Sequence, residues 1–448
     1  MSTSSDAGEP SATYRGWILS VLILVYTFNF IDRQIIGILA IPIKAELGLT
    51  DTQVGLMSGL AFALFYTFLG IPIAMLADRR NRVLIMTIAL TVWSGFTMVC
   101  GTAQNYGQLF LARLGVGVGE AGGVAPAYSL IADYFPSHQR SRALAVYSFG
   151  IPIGSATGIV LGGILTAYFD WRIAFFIVGG AGVLIAPLLK WTVREPERGR
   201  YDAAPPVTPP TDLVKAIREV SATLVRKPSF WGLSLGAAFS SMMGYGLFLW
   251  VPSFLVRSFG TELPVFMGFL PGALVPPDPS PILFAAYYYG AIVLVGGIAG
   301  IWMGGLLADK FGAERKSAYA LVPAAAFALT VPFLIIGVLT PSLGLAFVVL
   351  LVPTALSLVW LGPVISAFQH LVPPHMRSTA SAIFLFINNL IGIGAGQTVI
   401  GLISDSLALR LGDESLRYAI LCGCSFYVIA AILMALTAPR LAQDWEQG

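Results

Sequence analysis

Twelve apolar runs, each near the ~20 residues that an α-helix needs to cross a bilayer, fill most of this sequence and predict an all-α, polytopic membrane protein. They fall at 17–41, 52–77, 83–103, 107–133, 143–168, 172–193, 229–256, 285–308, 317–339, 343–369, 379–404 and 417–438. Only 11% of the residues are charged and 56% are hydrophobic, against roughly 25% charged in a soluble domain.

The few charges carry the orientation. With the N-terminus placed in the cytoplasm, nineteen of the 26 Lys and Arg residues fall in inside segments and five outside, while Arg33 and Arg113 lie within the membrane. The positive-inside rule therefore predicts cytoplasmic termini. The first 13 residues have no basic start, and the first run is too long for a signal h-region, so no cleavable signal peptide is expected.

Cys100, Cys422 and Cys424 all lie in apolar runs, which predicts small buried hydrophobes and neither a disulfide framework nor a zinc site. His138, His370 and His375 fall at cytoplasmic loop positions, so no metal site is expected. No phosphate-binding loop is present, which argues against direct ATP drive. A net charge of +3 gives no sign of a nucleic-acid partner. An enzyme is not expected, nor a cofactor other than a coupling proton.

The stretch from Gln108 to Gly123, QLFLARLGVGVGEAGG, is apolar and glycine-rich yet carries Arg113 and Glu120. About two helical turns separate them, so both point from one face of one helix. An ionisable residue at the centre of a membrane helix costs roughly 2.5–3.5 kcal/mol on the insertion scale, so it is normally paired, wetted and functional. The first run holds a second charged pair, Asp32 and Arg33, with Asn29 one turn below. At ~1.5 Å per residue both sets lie about 20–30 Å above the inner ends of their helices, so two antiparallel spans can present one cluster of two acids and two bases. The alternative is a pair of permanent salt bridges that only lock helices together.

The longest hydrophilic interruption divides the chain into a six-run half (1–193), a linker (194–228) and a second six-run half (229–448). The linker is first proline-rich; then Leu213, Ile217, Val220 and Leu224 recur at helical spacing, as in a surface-lying amphipathic helix. The halves repeat each other. Leu-Ala-Asp followed by a basic residue occurs at Asp78 and again at Asp309, and P-x-H-x-R-S-x-A occurs from Pro136 and again from Pro373. Two matches at nearly one offset imply a duplicated six-helix unit, as in many secondary transporters.

A duplicated six-helix unit with L-A-D-R-x-x-R after its second run resembles the major facilitator superfamily. Within it, Asn29-Phe-Ile-Asp32-Arg33 and the run GVGEAGGVAPAYSLIADYFPSHQRSRALAVYSFGIPIGSATGIVLGG from Gly115 resemble the spinster family, which includes sphingosine-1-phosphate exporters and lysophospholipid transporters. The resemblance implies two six-helix bundles related by a pseudo-two-fold axis, with the first and fourth helices lining a central cavity. It also implies a cytoplasmic gate: Asp78 faces the start of the eleventh helix, Arg82 pairs with Asp133, and Arg142 and Asp309 belong to the same set. Ala74 and Asn81 stand where that pattern has glycine, so the turn is expected to be less tight.

The expected chemistry is proton-coupled movement of an anionic amphiphile. Asp32 and Glu120 are the proton-carrying candidates, because desolvation raises a carboxylate pKa while adjacent arginines lower it. Arg33 and Arg113 are candidates for gripping a phosphate or carboxylate head. Asn29, Tyr147, Tyr245, Tyr289, Trp360 and Asn388 complete the candidate substrate contacts, the second half being apolar apart from such groups. Gly150, Gly154, Gly158 and Gly162 form a small-residue stripe on the fifth run, a packing device that in this superfamily is typical of exporters. The proline-rich segment 258–284 is either a partly ordered cap or an extension of its neighbouring helices. The competing readings are a transporter of small organic anions or drugs, and a receptor that kept the fold without transporting. A monomer in a bacterial inner membrane is expected, with membrane lipid as its surroundings.

Overall fold

The computed structural model describes residues 10–201, 213–312, 315–372 and 376–445. Among the described residues we distinguish twelve helical spans, several of them broken, which we number α1 to α12 in chain order. They are α1 (Ala12–Leu47), α2 (Asp51–Gly55, Leu56–Leu60 and Ala61–Arg79), α3 (Arg82–Cys100), α4 (Tyr106–Glu120 and Val124–Tyr134), α5 (Ser137–Ser148 and Gly150–Tyr168) and α6 (Trp171–Thr192). The second set is α7 (Pro228–Phe259), α8 (Pro281–Gly312), α9 (Ala318–Leu339), α10 (Leu343–Leu356 and Leu361–Gln369), α11 (Arg377–Asn389, Leu390–Ala395 and Gly396–Leu411) and α12 (Ser415–Asp444).

The packing has the internal symmetry that the repeats imply. Helix α1 packs on α5 and α7 on α11; α2 packs on α4 and α8 on α10; α3 packs on α6 and α9 on α12. Each pair maps onto its counterpart by a shift of six helices. The same relation governs the seam between halves, where α5 meets α8 and α11 meets α2, with α1 against α7 at the centre.

Glycines set the closest approaches. On the α5 stripe a Cβ at Gly154 would lie 2.4 Å from the Thr27 carbonyl oxygen, and one at Gly158 2.8 Å from that of Ile31. The stripe therefore seats α5 on α1 within the first half. At the seam, a Cβ at Gly55 would lie 2.5 Å from the Gln397 carbonyl oxygen, so α2 and α11 touch through their backbones. Both helices carry a π-helical stretch in this region, 56–60 and 390–395, and the two stretches face each other. Such bulges inside α-helices frequently mark functional sites.

Several expected boundaries are corrected. The expected fourth span, 107–133, is two helices joined through 121–123 directly after Glu120. Pro126 lacks the N–H that would continue the ladder. Short i to i+3 bonds, Gly122 N–H to Gly119 and Gly123 N–H to Glu120, close the turn instead. Helix α1 runs well past the expected 17–41, from a Ser11 cap to Gly48, whose φ of 62° lies in the left-handed region that ends helices. Segment 258–284 is both things expected of it, since α7 and α8 extend into it and a short helix at Leu263–Phe266 caps the space between. Cys422 is exposed, not buried, because it lies on the outward face of α12. The linker helix, Leu213–Val225, buries Val220 and Leu224 against α11 and α7 of the second half, so these two residues face protein; the side chains of Leu213 and Ile217 lie outside the described residues.

Candidate functional site

The intramembrane charges meet. Asn29 and Arg33 are one turn apart on α1, so both reach the same neighbour: Asn29 Nδ2 donates to Glu120 Oε2 over 2.8 Å and Arg33 Nε donates to the same oxygen over 2.6 Å. Glu120 is fully buried, and Arg33 is 9% exposed. Asp32 projects from an adjoining face of α1 toward Trp93 and Thr97 of α3, within electrostatic reach of Arg113 and Glu120. Asp32 and Arg113 are each 1% exposed.

The cluster is asymmetric. One pair is closed, Arg33 with Glu120. The other is open: both Asp32 carboxylate oxygens, and Nε and Nη1 of Arg113, have no hydrogen-bond partner among the described residues. Glu120 Oε1, Asn29 Oδ1, Arg33 Nη2 and Trp93 Nε1 are unpaired as well. An unmet buried polar group costs about 1–3 kcal/mol and a charged one more. The arrangement therefore differs from two closed salt bridges, in which each acid would take bonds from its own arginine.

Aromatic rings wall the cluster. The Arg33 guanidinium lies 4.6 Å from the Tyr66 ring centroid, 4.8 Å from Phe62 and 5.3 Å from Phe30. Phe62 also faces Arg113 at 5.8 Å, so one ring is shared by both cations. Tyr147 stacks on Tyr26 with centroids 4.4 Å apart, and Tyr128 meets Tyr147 edge-on at 5.7 Å. Tyr128 lies in this group of rings and is 38% exposed. From the second half, Tyr245 of α7 comes within electrostatic reach of Arg33.

The other second-half candidates are more distant from the charges. Asn388 is buried and accepts a hydrogen bond from Ser241 Oγ over 2.9 Å, linking α11 to α7. Trp360 stands at the break in α10, edge-on to Phe384 at 6.4 Å. Tyr289 is buried in the second bundle beside Tyr427 of α12, away from the charged cluster.

Of the gate residues, Arg82 and Asp133 form an ion pair. Arg82 also donates from Nε to Glu195 over 2.6 Å and from Nη1 to Ser129 over 2.7 Å. Glu195 in turn accepts from the Arg82 and Val83 backbone N–H groups at the start of α3, where the helix dipole favours an anion. Arg142 is exposed. The side chains of Asp78, Asp309 and His138, and all of His375, lie outside the described residues. His370 stacks on Trp445 at 4.6 Å. No cluster of metal-ligating side chains occurs among the described residues.

At the opposite end of the bundle is an element that sequence reasoning missed. Asp51, at the start of α2, takes two bonds from Arg257 of α7 (2.9 and 2.6 Å), one from Ser404 of α11 (2.7 Å) and an ion pair from Lys44 of α1. Asp405 of α11 accepts the Asp51 and Thr52 backbone N–H groups at 3.0 and 2.7 Å. These groups latch the halves together. Their only sequence signal was acidic residues at the ends of two spans.

A twelve-span bundle of two like halves, latched at one end and holding an incompletely paired charged cluster at its middle, has the architecture of a secondary transporter. The family model described as Major Facilitator Superfamily matches residues 22–397. An "MFS-type efflux pump" of Mycolicibacterium smegmatis is 35% identical over 98% of this chain and 96% of its own length. "Protein spinster homolog 1" of Xenopus laevis is 30% identical over 97% of this chain and 83% of its own. Among solved structures, a bacterial homologue of the human lysosomal transporter Spinster, in an inward-facing and unoccupied conformation, is 32% identical. It superposes with a TM-score of 0.81 over 98% of this chain and 100% of that one. The chain therefore belongs to the major facilitator superfamily and, within it, to the spinster family of transporters.

Proposed function

We propose that this transporter moves an amphiphile with an anionic or zwitterionic head, of the sphingosine-1-phosphate or lysophospholipid kind, in exchange for or together with protons. The observation that carries this reading is the open Asp32 and Arg113 pair beside the closed Arg33 and Glu120 pair. Two carboxylates and two guanidiniums sum to zero charge. Protonating either acid leaves the set net positive, because arginine does not titrate in this range. The arginine so released binds an oxyanion by charge-assisted, bidentate hydrogen bonds. Asp32 and Glu120 carry the proton, and Arg33, Arg113 and Asn29 hold the head.

The aromatic rings around the charges suit an amphiphile. Tyr147 and Tyr245 present hydroxyls near the head, while Trp360, Asn388 and Tyr289 of the second half lie along the course of the chain, with Tyr289 the most remote. Arg82 with Asp133, together with Asp78, Asp309 and Arg142, gates the end that bears the termini. The charge bias supports a cytoplasmic side for that end, and we take the protein to work as a monomer in a bacterial inner membrane. The Asp51 latch is then the outer gate.

A second reading, export of a small organic anion or drug, is favoured by the efflux pump among the relatives. Purified protein in proteoliposomes separates them. Lysophospholipid-dependent proton flux, blocked by competing lysolipid and not by sugar acids, is expected for the first. Flux driven by sugar acids or drugs alone would sink it, and the absence of flux with any of these would favour a receptor.

A further inference from the structure

Beside the latch lies a half-open space that the central site does not use. The ends of α1, α2 and α7 surround a cavity of about 250 Å³. Ala40, Val54 and Trp250 form its apolar side; Lys44, Ser253 and Arg257 form its polar side. At roughly 30 Å³ per water it has room for about eight waters, enough for a phosphate group and the first few carbons attached to it.

The two cations have donors to spare. A guanidinium carries five N–H groups and an ammonium three. Arg257 uses Nη1 and Nη2 on Asp51, and Lys44 gives Asp51 a single bond. The Lys44 and Arg257 side chains remain 33% and 20% exposed, whereas Asp51 is 3% exposed. Asp405, the other acid nearby, is engaged by the backbone N–H groups of Asp51 and Thr52. The cluster therefore holds two cations and two acids. The two acids balance the two cations in total charge, but neither acid lines the cavity, whereas Lys44 and Arg257 do and its remaining walls are largely apolar.

We propose that this cavity is a binding site for a phosphate oxyanion borne by an amphiphile. Lys44 and Arg257 hold the phosphate, Ser253 donates a further hydrogen bond, and the first carbons of the chain lie against Ala40, Val54 and Trp250. The site is separate from the Arg33 and Glu120 cluster, and binding there does not depend on the proton-coupled reading. Its position gives it a second effect. The phosphate and Asp51 share the same two cations, so the charge that holds the latch is divided between them when the site is filled, and by linkage an open latch strengthens occupancy.

The test uses the full-length protein in uncharged detergent, titrated with dioctanoyl phosphatidate, with dioctanoylglycerol (the same chains without phosphate) and with inorganic phosphate. Calorimetry gives the affinities. Phosphatidate is expected to bind at least tenfold more tightly than either control. Lys44→Gln and Ser253→Leu are each expected to weaken it at least tenfold, the first by removing a charge and the second by filling the cavity. Ala45→Phe, at the exposed rim, replaces Ser253→Leu if that variant does not fold. Phosphatidate held at the central cluster would be insensitive to all three, so the two sites separate. Both the charge and the cavity variants must act: insensitivity to either overturns the site, and inorganic phosphate binding as tightly as phosphatidate overturns the amphiphile.

Discussion

Arg33 gives its Nε–H to Glu120 over 2.6 Å and keeps Nη2 unpaired among rings of Phe62 and Tyr66, so one guanidinium is both locked to an acid and available to a ligand. Removing one member of a buried pair leaves the other uncompensated, at about 3–5 kcal/mol. Glu120→Gln is therefore expected to lower the melting temperature measurably and to reduce transport at least tenfold. It is also expected to abolish the dependence of the remaining transport on an imposed proton gradient. Unchanged, gradient-dependent uptake in proteoliposomes would remove Glu120 from the coupling.

Asp32 should behave differently, because neither of its oxygens has a hydrogen-bond partner in the described structure. Asp32→Asn deletes a buried charge that makes no close hydrogen bond and keeps a polar group beside Trp93 and Thr97, so its melting temperature is expected to fall less than that of Glu120→Gln. Transport should nonetheless fall at least tenfold. A melting temperature that drops as far as that of Glu120→Gln would mean that Asp32 is a structural partner of Arg113, and the measurement is a thermal melt of the two variants side by side.

These two acids were legible in the sequence because charges inside apolar spans are costly and few, and helical geometry brought them to one depth. The duplicated motifs at Asp78 and Asp309 likewise announced the two-fold packing later seen in the pairs α3 with α6 and α9 with α12. The tyrosines at 26, 66 and 128 were not legible, since an aromatic residue in an apolar run reads the same whether it faces lipid or the bundle interior. Nor was the latch. Asp51 and Arg257 are 206 residues apart and sit at span ends, where a charge is expected for topology alone. The break in α4 was hidden because glycines at 119, 122 and 123 permit a helix in membrane as readily as a turn, and only the packing against Trp93 and the missing Pro126 N–H decide between them.

Arg82 is 1% exposed and ties together α3, α4 and the segment after α6 through Asp133, Ser129 and Glu195. Its planar fork serves acids on two sides at once, which an ammonium cannot do. Arg82→Lys is therefore expected to destabilise the first half nearly as much as Arg82→Ala, by about 3–5 kcal/mol, the range for breaking a buried pair. A thermal melt in which Lys restores the parent value would show that charge alone suffices.

The latch predicts that two chemically unrelated changes have one outcome. Asp51→Asn withdraws the acid that holds Arg257, Lys44 and Ser404, whereas Gly55→Val leaves every charge in place and drives a side chain into the Gln397 carbonyl, 2.5 Å from where its Cβ must sit. Both separate α2 from α11 at this end, one by lost attraction and one by steric exclusion. Spin labels at Thr102 and Leu409, exposed positions on the two halves, report the gap once the exposed Cys422 is replaced. Each variant is expected to shift the distance distribution toward longer values by several ångströms, since rigid halves rock as units. A shift in Asp51→Asn with none in Gly55→Val would mean that the charges, and not the contact of the two helices, hold this end closed.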